Sequence, residues 1–174
     1  MTSPYAGPQA EEEQHRQSQT VTALLPAPPF FRLHLQALLE GPRCYSDATI
    51  QPHGHSHAIR PAGLGVFILD THTNPPQAFF LQVRMDNCAS VIMAEVAAMA
   101  TAAKVSTALH LQAPNYLTDS QQLASYFNSA DRSPTPDWRI RHITQNFINL
   151  TGNSNCKIFK ISREQNSSWY IVPS

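Results

Sequence analysis

The stretch Arg43–Ile50 constrains the fold of this 174-residue chain most, because it reads as a strand with an aspartate inside it. Aromatic and β-branched residues suit a pleated, half-buried surface, and Pro42 and Pro52 interrupt regular structure on either side. Burying an ionised, unpaired carboxylate costs several kcal/mol, so Asp47 needs compensation if it lies inward. Two interpretations stay open: Asp47 binds a metal ion, or it ends a frayed strand and faces water.

Composition limits the class of protein. The formal net charge is zero, so global charge does not indicate a nucleic-acid partner, and three cysteines without a CxxC pair argue against a disulfide framework or a cysteine-rich zinc site. The N-terminus lacks the basic and apolar regions of a secretory signal. The longest apolar run, 91–105, is interrupted by polar residues and is too short to span a bilayer. We therefore expect an intracellular protein, nuclear or cytoplasmic and not secreted, with no membrane partner.

The chain divides into four segments. Residues 1–29 contain five prolines and little apolar periodicity, which predicts a disordered tail. Apolar spacing in 30–42 predicts a short amphipathic helix and a linker. The remainder alternates strand and helix patterns and predicts a mixed α/β sheet that begins with three antiparallel strands, with helices on its faces. The predicted strands are 43–50, 63–69, 77–85, 115–118 and 156–162, and the predicted helices are 89–108, 121–128 and 137–150.

Two further acids stand at positions that favour chemistry. Glu95 lies near the start of a predicted helix, where the helix dipole favours a solvated glutamate, yet its spacing also places it beside the apolar stripe. Asp119 follows a short strand, where sites collect in α/β sheets, although it could simply cap the next helix. The alternating histidines of the 51–61 loop could bind a transition metal, but a solvated loop is the simpler interpretation. These histidines are His53, His55 and His57.

Charge is segregated along the chain. The 132–163 segment holds six basic residues against one acid, whereas the 42–125 segment contains Asp47, Glu95 and Asp119. An acidic centre beside a basic flank suits a metal-dependent enzyme that acts on a phosphodiester backbone.

Three short motifs carry a family resemblance. They are Tyr45-Ser46-Asp47-Ala48-Thr49, Met93-Ala94-Glu95-Val96-Ala97-Ala98 and Leu117-Thr118-Asp119-Ser120-Gln121-Gln122-Leu123. In this order they resemble the first three motifs of the ribonuclease H-like domain. The likeness is greatest to the type-1 ribonuclease H domains of plant non-LTR retroelement reverse transcriptases, and it covers residues 43–166.

The resemblance implies a three-layer fold around a five-stranded mixed sheet. It also implies cleavage of the RNA strand of an RNA–DNA hybrid with two Mg²⁺ ions and an activated water. Asp47, Glu95 and Asp119 would be the catalytic and metal-binding residues, since hard cations prefer carboxylate oxygens. The nucleic acid would be contacted by residues of the basic flank and its end, namely Arg139, Lys157, Lys160, Arg163 and Asn166.

The resemblance departs from the family pattern after Asn166. Members carry an Ala-Asp pair that opens a closing helix, whereas this chain has Trp169-Tyr170 and ends at Ser174. We therefore expect a C-terminally truncated domain with an atypical tail at 167–174. Tyrosine is a poor Mg²⁺ ligand at neutral pH, so one of the two ion sites is expected to be lost. Two functions follow: an RNA–DNA hybrid endoribonuclease, or a catalytically impaired, retroelement-derived nucleic-acid-binding remnant.

Overall fold

The computed structural model describes residues 19–26, 40–50, 60–129, 137–152 and 157–167. Within these ranges the strands are β1 (Gln19–Pro26), β2 (Arg43–Ile50), β3 (Arg60–Asp70), β4 (Gln77–Cys88), β5 (Asn115–Thr118) and β6 (Lys157–Lys160). The helices are α1 (Val91–Ala108), α2 (Gln121–Asn128), α3 (Arg141–Thr151) and α4 (Arg163–Ser167). A 3₁₀ turn (Trp138–Ile140) leads directly into α3.

The described strands form one mixed sheet in the order β1-β4-β3-β2-β5-β6. β1 to β4, β4 to β3 and β3 to β2 are antiparallel pairs. β2 to β5 and β5 to β6 are parallel pairs. β2 is therefore the strand at which the sheet changes from antiparallel to parallel. The predicted five-stranded sheet, with three antiparallel strands first, is confirmed in β2 to β6, and β1 adds a sixth strand at the edge.

Side chains alternate between the two faces of the sheet and build two cores. Cys44 and Tyr116, which are partners across the β2–β5 ladder, join the larger core together with α1, α2 and α3. The next partners, Tyr45 and Leu117, join the smaller core on the other face, to which Ile161 also belongs. The larger core supplies most of the apolar burial, and burial is the main favourable contribution to folding.

Helix α1 is the central element of the larger core. Ser90 caps its start by accepting a hydrogen bond from Met93 N at 3.2 Å, and Tyr116 OH meets Ser106 Oγ near its end at 2.7 Å. Its buried alanines, including Ala94 and Ala98, let the backbone approach the sheet closely. By length and composition α1 could cross a bilayer, but 61% of it is buried inside this fold, which is the position of a core helix.

The N-terminal prediction needs a correction. Residues 1–29 were predicted to be disordered, yet Gln19–Pro26 forms β1 along the outer edge of β4. An unpaired strand edge offers a row of backbone donors and acceptors, so a segment without a core of its own can still be ordered by ladder hydrogen bonds. Most of the predicted helix and linker at 30–42 lies outside the described residues, as do His53, His55 and His57.

The C-terminal half follows the prediction with two differences. The predicted helix at 137–150 begins instead as the 3₁₀ turn, because Asp137 accepts a hydrogen bond from Arg139 N at 2.9 Å and so tightens the first turn. A short helix, α4, occupies Arg163–Ser167, a segment for which the periodicity predicted no helix. Of the atypical tail at 167–174, only Ser167 lies within the described residues.

Candidate metal centre

The parallel ladder between β2 and β5 brings two of the predicted acids together. The last ladder pair is Tyr45 with Leu117, and Asp47 and Asp119 each lie two residues beyond it. Their side chains therefore reach the same end of the sheet, where β5 stops and β2 continues. Across the antiparallel ladder Asp47 faces Gly65, which has no side chain to occupy the space beside the carboxylate.

Glu95 reaches the same place from helix α1. It is the fifth residue after the Ser90 cap, so it lies in the second turn and outside the first-turn positions that the helix dipole favours most. Its side chain is only 7% exposed. The interpretation of Glu95 as a solvated helix-start residue is therefore wrong.

The three carboxylates converge. One oxygen from each of Asp47, Glu95 and Asp119 lies within 4.8 Å of the other two. A shared metal-binding role for these acids, which the family resemblance implies, requires them to meet, and they do so at one end of the sheet. The pKa of Glu95 is raised from 4.5 to about 8, mainly by burial and then by the charges of Asp47 and Asp119, against a lowering effect of Arg163. The cluster thus holds more negative charge than its surroundings compensate.

The donor set suits a hard divalent cation. Within the described part of the chain, Glu95 Oε2 is buried and has no hydrogen-bond partner. A buried oxygen without a partner loses its hydration and gains nothing in return, which a bound cation would reverse. Oxygen ligands from carboxylates are those that Mg²⁺ and Ca²⁺ prefer. The carboxylates of Asp47, Glu95 and Asp119 are therefore suitable ligands for a divalent cation.

The predicted nucleic-acid contacts lie in different surroundings. Lys160 is paired in register with Thr118, immediately before Asp119, and is exposed at the site end of β6. Arg163 follows at the start of α4, near enough to act on Glu95. Lys157 is exposed three residues earlier, at the opposite end of β6. Arg139 is exposed, but its guanidinium binds Asp137 at 2.9 Å, which offsets its charge.

Asn166 has a different role from the one predicted. It is 1% exposed, so its side chain does not face a nucleic acid in this structure. Its Nδ2 donates a 3.1 Å hydrogen bond to the backbone oxygen of Ser46, the residue before Asp47. Asn166 therefore fastens α4 to β2 beside the acid cluster. Its spacing from Arg163 indicated a functional residue, but the sequence could not show that its partner is backbone.

Replacing Asn166 with alanine should disturb both the fold and the cluster. Ser46 O would remain buried without its donor, and we expect a loss of about 1–3 kcal/mol in the free energy of unfolding. Because the same bond positions the strand at Asp47, the affinity for Mn²⁺ should fall roughly 10–100-fold. Thermal unfolding and isothermal titration with Mn²⁺ measure the two effects.

Gln145→Ala is the matched control, since Gln145 is exposed on α3 and bonds only Asn149 in the described structure. It should change stability by less than about 0.5 kcal/mol and leave Mn²⁺ affinity unaltered. An Asn166→Ala protein that is less stable but binds Mn²⁺ normally would limit Asn166 to a structural role.

Comparisons with known proteins agree with the fold. No family model and no curated protein matches the chain. Among solved structures, RNase H1 from the halophilic archaeon Halobacterium salinarum NRC-1 superimposes with a TM-score of 0.56 at 16% identity, over 72% of this chain and 89% of that one. LC11-RNase H1 in complex with RNA/DNA hybrid superimposes with a TM-score of 0.58 at 16% identity. The match covers 72% of this chain and 88% of LC11-RNase H1.

A third similar structure, the protease–reverse transcriptase of prototype foamy virus, gives a TM-score of 0.56 at 16% identity. The match covers 75% of this chain but 18% of the viral one. Identities this low show the fold alone. The chain has the ribonuclease H-like fold, and the predicted resemblance is confirmed at that level.

Proposed function

We propose that the chain binds an RNA–DNA hybrid at the acid cluster in a cation-dependent manner and hydrolyses its RNA strand. The observation that carries this proposal is the convergence of Asp47, Glu95 and Asp119 within 4.8 Å on a ribonuclease H-like fold. The structure of LC11-RNase H1 contains an RNA/DNA hybrid, which supports the same class of ligand here. Incubation of the purified protein with a labelled hybrid and Mg²⁺ tests the proposal directly.

In this proposal the three carboxylates hold the metal. Asp47, the first of the three acids in the chain and a residue of β2, where the sheet changes from antiparallel to parallel, would hold Mg²⁺ together with Glu95 and Asp119. When bound, Mg²⁺ supplies Lewis acidity, which lowers the pKa of water and offsets charge on the phosphate. Glu95 must lose its proton to serve as a ligand, because its pKa of about 8 keeps it mostly protonated at pH 7.

The chain's own cations would bind the phosphates on either side. Lys160 and Arg163 lie beside the cluster, exposed at the end of β6 and the start of α4. Contacts from such residues orient the backbone without reading the bases. We therefore propose recognition of the hybrid by its backbone, with no strong sequence preference.

The combined replacement of Lys160 and Arg163 with alanine should weaken hybrid binding and its dependence on salt. Each phosphate contact releases counterions, so the slope of log affinity against log salt should fall by about one per lost contact, or by about two here. Fluorescence anisotropy of a labelled hybrid, measured with Ca²⁺ at several salt concentrations, gives both quantities.

Arg84→Ala is the control for this measurement. Arg84 is an exposed residue of β4 whose charge is paired with Asp86 at 2.8 Å. Its replacement should leave both the affinity and the salt slope unchanged. A flat salt response of the unaltered protein, or equal affinity after the double replacement, would contradict hybrid binding by this flank.

A second candidate function is hybrid binding with little or no cleavage. Its support is the sequence after Asn166, where Tyr170 takes the place of the fourth acid of the family pattern. Two-metal hydrolysis needs one ion on the attacking side and one on the leaving side. Without the fourth acid, the attacking-side ion would rest on Asp47, and a single carboxylate holds Mg²⁺ weakly.

The origin and cellular setting belong to the same proposal. The motif likeness to plant retroelement reverse transcriptases, together with the viral reverse transcriptase among the similar structures, supports a retroelement-derived, reverse-transcriptase-associated domain. Such a domain would act inside the cell, in the nucleus or the cytoplasm.

A further inference from the structure

Trp138 is a large aromatic side chain that the fold leaves in solvent. It opens the 3₁₀ turn before α3 and is 80% exposed. Single exposed apolar residues are common on protein surfaces, so exposure alone indicates nothing. Within the described residues, however, Trp138 forms no aromatic pair, and most of its side chain is open to solvent.

The turn that carries Trp138 is anchored on both sides. Ile140, two residues later, is fully buried in the larger core. Asp137, one residue earlier, accepts hydrogen bonds from the backbone N and from Nε of Arg139, at 2.9 and 3.0 Å. An anchored backbone reduces the entropy lost when a ligand is bound. The backbone that carries Trp138 is therefore held in place by the burial of Ile140 and by the hydrogen bonds within the turn.

The surroundings of Trp138 are polar and basic. Arg141 and His142, which follow it at the start of α3, are exposed, while the charge of Arg139 is paired with that of Asp137. The centre of a protein–protein interface is usually an apolar cluster depleted in charge, and these neighbours do not provide one. An aromatic ring beside cationic side chains is instead the combination that binds single-stranded nucleic acid, by stacking on bases and by attraction of phosphates.

The position of the turn connects it to the acid cluster. The 3₁₀ turn packs against α1, the helix that carries Glu95. An 18-residue helix is about 27 Å long, so no part of α1 is farther than that from its start. A strand that continues from the cluster at about 3.4 Å per nucleotide can cover this distance with roughly eight nucleotides.

We propose that Trp138 is a stacking platform for an unpaired base, in a single-stranded extension of the nucleic acid bound at the acid cluster. This inference rests on the proposed function, since it takes its ligand class from there. Arg141 and His142 would bind the phosphates that flank the stacked base. The chain would thereby prefer hybrids with a single-stranded extension to blunt ones.

The test uses the full chain with Trp169→Phe, which leaves Trp138 as its only tryptophan. Two end-labelled hybrids with the same duplex, one blunt and one with an eight-nucleotide extension, are titrated in Ca²⁺. The anisotropy of the label gives the affinity for every variant, and tryptophan fluorescence is followed in the proteins that keep Trp138. We expect the extended hybrid to quench the fluorescence and to bind about 5–100-fold tighter than the blunt one. Trp138→Ala should remove this difference, and Trp138→Phe should retain most of it.

Val91→Ala is the matched control, because Val91 is the other large apolar side chain exposed in the described structure, at 63%. It should leave the ratio of the two affinities unchanged. The proposal would be wrong if the extension neither increased the affinity nor quenched the fluorescence. It would also be wrong if the extended hybrid still bound more tightly than the blunt one after Trp138→Ala. If neither duplex binds but a free single strand quenches Trp138, the platform stands and the hybrid-directed function fails.

Discussion

Replacing Glu95 with glutamine should stabilise the protein in the absence of divalent cations and remove its response to them. The pKa of Glu95 is raised from 4.5 to about 8, so at pH 7 the fold must keep a proton on this carboxyl or tolerate its charge. At about 1.4 kcal/mol per pH unit, the penalty at pH 7 is roughly 3 kcal/mol. Glutamine has no such penalty, and the melting temperature should rise by about 6–12 °C.

The pH dependence of stability is a second test of the raised pKa of Glu95. For a carboxyl whose pKa is higher in the folded state, no penalty exists below pH 4.5, and the penalty grows until about pH 8. The unaltered protein should therefore lose stability as the pH rises through this window, whereas Glu95→Gln should not. The two proteins should be equally stable near pH 4, as measured by thermal or urea unfolding with a chelator present.

Divalent cations should reverse the order of stability. Mg²⁺ or Mn²⁺ at millimolar concentration should stabilise the unaltered protein, because binding to the folded state alone shifts the equilibrium. Glu95→Gln should show little of this gain. Asp70→Asn, which changes an acid at the far end of β3, should behave like the unaltered protein with and without cations. Destabilisation by Glu95→Gln in chelator would contradict the account of this buried carboxyl.

Hybrid cleavage by the natural chain should be slow, and a single replacement in the tail should accelerate it. If Tyr170 corresponds to the fourth acid of the family, as proposed above, Tyr170→Asp should supply a further carboxylate for the metal and raise the rate at least tenfold. Asp47→Asn should abolish cleavage in both backgrounds. Loss of a direct ligand should exceed the roughly 10–100-fold effect typical of residues that only support ligands. Single-turnover assays on a labelled RNA–DNA hybrid in Mg²⁺ measure all four proteins.

Several outcomes separate the two candidate functions. Cleavage by the natural chain at about 1 s⁻¹ or faster, a rate typical of enzymes, and its loss with Asp119→Asn, would establish the endoribonuclease and remove the impaired alternative. Tight, Ca²⁺-dependent binding with slow cleavage that Tyr170→Asp improves would support the impaired remnant. Asp86→Asn, an exposed acid paired with Arg84, is the control that should change neither rate.

The sequence was sufficient to predict the sheet and the acids. Pro42 and Pro52 lie on either side of β2, and these breakers marked the ends of the strand in the sequence. The resemblance of the three motifs to those of the ribonuclease H-like domain, in the same order, was enough to predict that Asp47, Glu95 and Asp119 meet.

Other features depended on tertiary contacts that no local pattern contains. The choice between a solvated and a buried Glu95 was decided by how closely α1 approaches the sheet. Strand β1 is stabilised by the free edge of β4, not by periodicity of its own residues. The bond from Asn166 to Ser46 joins positions 120 residues apart, and its acceptor is a backbone atom that carries no sequence signal. Trp138 was not identified either, because exposure cannot be read from residue type.

The alanines of α1 have a consequence for ion selectivity. Ala94, next to Glu95, and Ala98, one turn farther on, are fully buried, so methyl groups set the thickness of the layer between helix and strands. Mg²⁺ requires oxygens at about 2.0–2.1 Å, whereas Ca²⁺ accepts about 2.3–2.6 Å. With a cation bound at the cluster, a displacement of the helix by about 0.3–0.5 Å would favour the longer oxygen distances of Ca²⁺ over those of Mg²⁺. We therefore expect the volumes of these buried, uncharged side chains, together with the carboxylates, to influence which cation binds.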